Sequence, residues 1–231
     1  MIRTRDDDGV RVVTMDRPAR RNALRPEDLT ALRTAVADAD APVTYLRGAG
    51  EAFCAGADLD IVADLDDPAS FARAGQRTAA AIADAETVVV CGIDGAARGG
   101  GVELALAADL RAATPAATFA EPGVAFGLFG AWGGTVRLPR VMGEGDALDF
   151  ALSGRVLDAD EALRTGLVSR VVDDPRSVAD EIAGGKPDAL RVIKRRVRDR
   201  RDDGGQEEAE ATAFADLVAE HGDEIAATRG E

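Results

Sequence analysis

The chain has 231 residues, 46% of them hydrophobic, and its 28 basic against 42 acidic side chains give a formal charge of −14. This length and apolar content suit one large domain, or a core with a small appendage, and exclude a disordered chain. The negative charge argues against nucleic acid and anionic membrane surfaces as partners. With no run of about 18 apolar residues and no basic-then-apolar start, a soluble cytoplasmic protein is expected, without a membrane span or secretory leader.

In chain order, Val10 to Met15 reads as a first strand and residues 16–22 as the loop after it. Pro26, followed by Glu27 and Asp28, marks the start of a helix to about Asp38. Val43 to Arg47 is a short strand, which Gly48-Ala-Gly50 breaks into a loop ending in Phe53-Cys-Ala-Gly-Ala-Asp-Leu59. Asp67-Pro68 opens an Ala-rich helix to about Glu86. The β-branched run Val88 to Ile93 predicts a buried strand, followed by a glycine turn and a buried helix, Val102 to Ala108. Short strands at Leu110 to Ala113 and Thr118-Phe119 flank Thr114-Pro115. Gly127 to Gly134, with bulky apolar residues among its glycines, reads as a pocket wall. Helices follow at 135–142, at 144–152 and after Asp158, and Ser169 to Val172 is a last strand.

From Pro175 onward the chain is helical and polar, with the basic run Arg191 to Arg201 on one helix and an acidic helix from Gln206. Strands alternating with helices up to Val172, then helices alone, predict an α/β body at 1–172 and a helical region at 173–231.

The chemistry concentrates at Gly95-Ala-Ala-Arg-Gly-Gly-Gly-Val-Glu-Leu-Ala-Leu-Ala-Ala-Asp109. Consecutive glycines let another molecule approach the backbone, and the first N–H groups of the following helix point outward at the positive end of its dipole, a ready site for an oxyanion. Glu103, one turn in and flanked by apolar residues, is raised in pKa by burial and lowered by the helix N-terminus. Oxyanion donors beside an acid/base are the parts of enolate chemistry. The plainer reading is a glycine turn packing a helix onto a sheet, with Glu103 a solvated first-turn acid.

Other reactive residues are few. Cys54 and Cys91 read as buried free thiols, and the single histidine, His221, as a surface residue of the C-terminal helix, which leaves no material for a zinc site or a Ser-His-Asp hydrolase. Only Lys186 and Lys194 are lysines, and abundant Asp and Glu with small Ala/Gly packing suggest adaptation to high salt.

Phe53-Cys-Ala-Gly-Ala-Asp-Leu59, Asp94-Gly-Ala-Ala-Arg-Gly-Gly-Gly-Val-Glu-Leu104 and Phe119-Ala-Glu-Pro-Gly-Val124 with Trp132-Gly-Gly-Thr-Val-Arg-Leu138 resemble the enoyl-CoA hydratase/isomerase (crotonase) family. Arg17-Pro18, Asn22-Ala-Leu24 and the stretch from Gly154 to Val172 fit it as well. The resemblance implies an α/β fold with a ββα spiral core, a C-terminal helical oligomerisation region that builds homotrimers or hexamers, and an acyl-CoA substrate. Coenzyme A would come with that substrate, and neither a separate cofactor nor a metal is expected. By position, the Ala57 and Gly100 amides would hold the thioester oxygen, Glu103 would be the acid/base, and Ala55, Ala57 and Leu59 would line the adenine pocket.

The departures matter as much. The family's second glutamate falls on Gly123, leaving a single-glutamate enzyme or, alternatively, an acyl-CoA-binding homologue with little turnover. Glu121 lies two residues upstream, but Pro122 fixes the local backbone, and a helix-entry acid is the plainer role. The C-terminal region is short for the family. Its usual Phe and Lys over CoA have no clear match after Phe214, and Arg229 is the nearest cation. Arg25, Arg98 and Arg191 to Arg196 are candidates for the CoA phosphates. Phe126, Phe129 and Trp132 would narrow an acyl pocket or simply fill the core.

Overall fold

The structure, a computed structural model, describes residues 1–227; Arg229 lies outside the described residues. The chain forms two compact units, Met1–Ala183 and the segment from Gly184 onward. No helix of the described residues is long and apolar enough to cross a membrane.

In the first unit, β1 (Ile2–Asp7), β2 (Val10–Met15), β3 (Val43–Gly48), β5 (Val88–Ile93), β7 (Leu110–Ala113) and β9 (Arg170–Val171) form a six-stranded sheet in that spatial order. Only β1 runs antiparallel to its neighbour. It was not expected, because its charged residues face solvent on an edge strand, and Asp8-Gly9, both at positive φ, turn the hairpin. The buried run of β5 is fully covered, as expected of a central parallel strand.

Three very short strands make the second sheet: β4 (Ala52–Cys54), β6 (Ala96–Arg98) and β8 (Thr118–Ala120), all parallel. Each follows a strand of the large sheet, so β3-β4, β5-β6 and β7-β8 are successive turns of one ββα spiral. The helices after them include α2 (Leu59–Val62), α3 (Pro68–Ala83), α4 (Gly100–Ala107) and α5 (Gly134–Met142). Helix α1 (Pro26–Ala37) buries Leu29, Leu32 and Val36 along one face, and α3 buries Phe71, Ala79 and Ile82. Every residue of α4 is buried, which explains its apolar sequence and makes Glu103 the exception in it.

Asn22 ties the loop after β2 to the small sheet. Fully buried and left-handed at φ 58°, it accepts from Arg17 N at 2.9 Å and donates to Ala52 O, Ala49 O and Phe53 O at 2.8, 3.0 and 3.2 Å. Asn22→Ala is expected to cost about 2–4 kcal/mol by stranding these buried groups, read as a lower urea midpoint with an unchanged slope. Cys54 and Cys91 are buried and unbridged, and burial pushes both thiols up to about 12.

Past α6 (Glu144–Ser153) and α7 (Ala159–Arg164), α8 (Arg176–Ala183) packs on β3 and β2 with Val178 and Ala179 buried. The first unit therefore includes α8 and reaches Ala183. The second unit holds α9 (Pro187–Arg198) and α10 (Asp203–Ala227). There His221 is not a free surface group. It is half-buried, with Nε2 2.6 Å from Asp188 Oδ2 and Glu220 close by.

Candidate active site

Parallel pairing of β4, β6 and β8 decides where the chemistry collects. The register sets Cys54 beside Ala97, and Arg98 beside Ala120, so the loops leaving these strands emerge side by side. Those loops carry Ala55 to Ala57, Gly99 to Gly100 and Glu121 to Gly123. They open into a cavity of about 270 Å³ whose wall includes Ala55, Ala57, Leu59, Gly100, Glu103 and Glu121. All five residues expected to form the site are thus brought together, and Glu121 joins them.

Two main-chain amides on these loops turn away from the backbone pairing around them. Leu24 N donates to Gly56 O at 2.8 Å, and in a trans peptide the N–H of Ala57 points opposite to that carbonyl, away from Leu24. Gly99 O accepts from Glu103 N at 3.1 Å, so the Gly100 N–H points backward off the first turn of α4. The loops touch: a methyl on Gly56, which sits at φ 85°, would lie 2.9 Å from Gly100 N and 2.7 Å from Arg98 O. Only glycine allows that approach.

Glu103 is 2% exposed. Its Oε1 accepts from Trp132 N at 2.7 Å and from Gly134 N at 2.6 Å, the latter at the start of α5. Burial pushes the carboxyl up, the Gly134 and Trp132 amides pull it back, and the balance stays above the ordinary range. The solvated first-turn acid is excluded.

Glu121 is 5% exposed and makes no capping hydrogen bond to the 3-10 turn Pro122–Phe126 that follows it, so the helix-entry role is overturned. Glu121, at φ −108° and ψ 76° between the end of β8 and the 3-10 turn, places its side chain on the cavity wall. Its Oε1 has no hydrogen-bond partner. Burial, then the Glu103 charge, pushes this carboxyl up to about 8. The cavity wall thus carries two carboxyl groups, Glu103 and Glu121. Gly123 also lines it.

The rest of the wall is apolar. Phe126 and Phe129 are 61% and 72% exposed and face the cavity, so they are not core residues, whereas Trp132 is both buried and on the wall. Arg98 is spent on Ala97 O, Thr118 O and Thr118 Oγ1, and Arg25 pairs with Asp28 and Glu27. The sequence reading missed Asp58 beside Ala57. It accepts from Arg17 at 2.7 Å and Arg20 at 3.2 Å, and Arg20 also pairs with Asp60. It missed as well that Trp132 and Gly134 supply amides to Glu103. The signal for that was a glycine pair just ahead of a helix.

The enoyl-CoA hydratase/isomerase family profile matches residues 5–225. A probable enoyl-CoA hydratase of Mycobacterium bovis is 35% identical over 201 residues, covering 83% of this chain and 78% of that protein. A short-chain-enoyl-CoA hydratase of Clostridium acetobutylicum is 32% identical over 201 residues, 81% of this chain and 77% of that one. The crystal structure of an enoyl-CoA hydratase from Thermoplasma volcanium superposes with a TM-score of 0.88 at 30% identity, covering 94% of this chain and 92% of the other. With that agreement in sequence and in crotonase-like fold, the chain belongs to the enoyl-CoA hydratase/isomerase family.

Proposed function

We propose that the protein acts on an enoyl-CoA thioester, with the Ala57 and Gly100 amides holding the thioester oxygen and Glu103 moving the proton. Supporting this is one arrangement: two outward-turned amides from adjacent loops and a buried carboxylate, all on one apolar cavity. Removing or adding a proton next to a thioester places enolate charge on its oxygen. Two fixed donors aimed at that oxygen can contribute on the order of 3 kcal/mol each to lowering the barrier. Ala55, Ala57 and Leu59 would line the adenine end.

The reading includes assembly into a homotrimer or hexamer. Large exposed apolar side chains support it, Leu148 and Leu152 in the first unit and Val197 and Phe214 in the second. Gly123, in place of the family's second glutamate, favours another reading, an acyl-CoA-binding protein with little turnover.

Assay of the wild-type protein with crotonyl-CoA and with a 3-enoyl-CoA tests the two. Loss of the conjugated enoyl absorbance, or its appearance from the 3-enoyl substrate, is expected. Binding of both thioesters with no turnover of either would establish the carrier instead.

A further inference from the structure

Two features of the site are not used by a one-glutamate scheme: a second carboxyl on the wall and the crowding around Gly123. Among the described residues that line the cavity, Glu103 and Glu121 are the only ionisable side chains. Their surroundings differ. Glu103 Oε1 is held by two backbone amides, a setting that suits a carboxylate, whereas Glu121 Oε1 has no donor at all. A bare buried carboxyl beside another's negative charge keeps its proton.

We propose that Glu121 is the second catalytic acid of this site, giving its proton to the α-carbon of the thioester in a hydration while Glu103 takes one from the attacking water. The proposal rests on the acyl-CoA reading above. In the step, the water oxygen bonds to the β-carbon as Glu103 removes its proton, and the π pair of the alkene moves into the enolate held at the Ala57 and Gly100 amides. The enolate then collapses, its α-carbon taking the proton from Glu121. The step leaves Glu103 protonated and Glu121 ionised, and transfer of one proton from the first to the second restores the site. Nothing else is consumed.

Gly123 fits this arrangement. A methyl there would lie 3.0 Å from Leu128 O and 3.2 Å from Phe129 Cα, so a side chain at 123 would press on the backbone at 128–129. The residue that remains able to supply a second carboxyl is two positions earlier, at the end of β8. The charged groups that bear on it are few. Glu103 of α4 acts on Glu121 directly, and Arg137 of α5 acts on Glu103.

The test compares Glu121→Gln and Glu121→Asp with Glu103→Gln and wild type on crotonyl-CoA, resolving kcat from KM across pH. Wild-type kcat/KM is expected to fall above about pH 8, as Glu121 loses its proton. Glu121→Gln should lower kcat by ~100-fold or more, with KM within about threefold, and should abolish that alkaline limb; Glu121→Asp should restore part of the rate. A merely structural role would leave the limb in place. Glu121→Gln turnover within about threefold of wild type, with the limb intact, overturns the proposal, and a large loss in Glu103→Gln would then leave the acyl-CoA reading standing. Wild type that binds the thioester and turns over nothing overturns both. If Glu121→Gln does not fold, the wild-type profile decides, and the absence of an alkaline limb overturns the assignment.

Discussion

Glu103→Gln is expected to lower enoyl-CoA turnover by ~10²–10⁴-fold, the usual worth of a positioned acid/base, with the fold intact. One oxygen, Oε1, receives both Trp132 N and Gly134 N. A glutamine oxygen in the same place accepts both, so the 130–134 segment stays where it is and only proton transfer is lost. Glu103→Ala would instead strand two buried amides, at about 1–3 kcal/mol each, and confuse catalysis with folding. Steady-state kinetics beside a thermal melt makes the comparison. A glutamine variant that keeps more than about a tenth of wild-type turnover would remove Glu103 from the chemistry.

The second large effect is on stability. Glu121→Gln should make the protein more stable than wild type at pH 8–9, by an amount on the order of 4 kcal/mol, with the advantage gone near pH 4. The sign follows from a native carboxyl pushed up to about 8 from an ordinary 4.5. Below 4.5 both states carry the proton and the residue has no effect. Between 4.5 and about 8 the unfolded chain releases it and the native protein keeps it, so wild-type stability falls as pH rises, and above about 8 the loss is complete. Glutamine has no proton to release. Glu103, raised in the same direction, keeps a pH slope in the variant. Equal denaturant midpoints for the two proteins at pH 9 would mean that the Glu121 carboxyl ionises freely in the native state.

Long apolar runs were legible in the sequence because burial on both faces leaves no other reason for them, as in β5, and α1 announced itself through Pro26, Glu27 and Asp28. Strands β4 and β6 were not legible. At three residues each, Ala-Phe-Cys and Ala-Ala-Arg are too short to carry a period, and only pairing with a distant neighbour makes them strands. β1 hid behind its charges. In the site, the glycine turns and Glu103 could be read locally, since a glycine run ahead of a helix has a physical meaning by itself. Glu121 could not. Its place follows from the register of β8 on β6, Ala97 beside Phe119 and Arg98 beside Ala120, which brings the strand end to the cavity before Pro122 opens the 3-10 turn. In sequence α8 looks like its polar successors, and only its two buried residues, meeting the sheet, place it with the first unit.

Trp132 divides the wall into a part that can vary and a part that cannot. Its indole lies on two glycines: a methyl at Gly75 would fall 2.1 Å from Cδ1, and one at Gly100 2.2 Å from Cζ3, while Phe71 meets the ring edge-on at 5.7 Å. The backbone of the same residue donates to Glu103. Bulk at Gly75 would therefore push on the indole and, through the Trp132 backbone, on the hydrogen bond to Glu103. Phe126, Leu128 and Phe129 line the same cavity with largely exposed side chains. Substitutions at those three positions are therefore expected to reshape the cavity at less cost to the fold than bulk at Gly75 or Gly100.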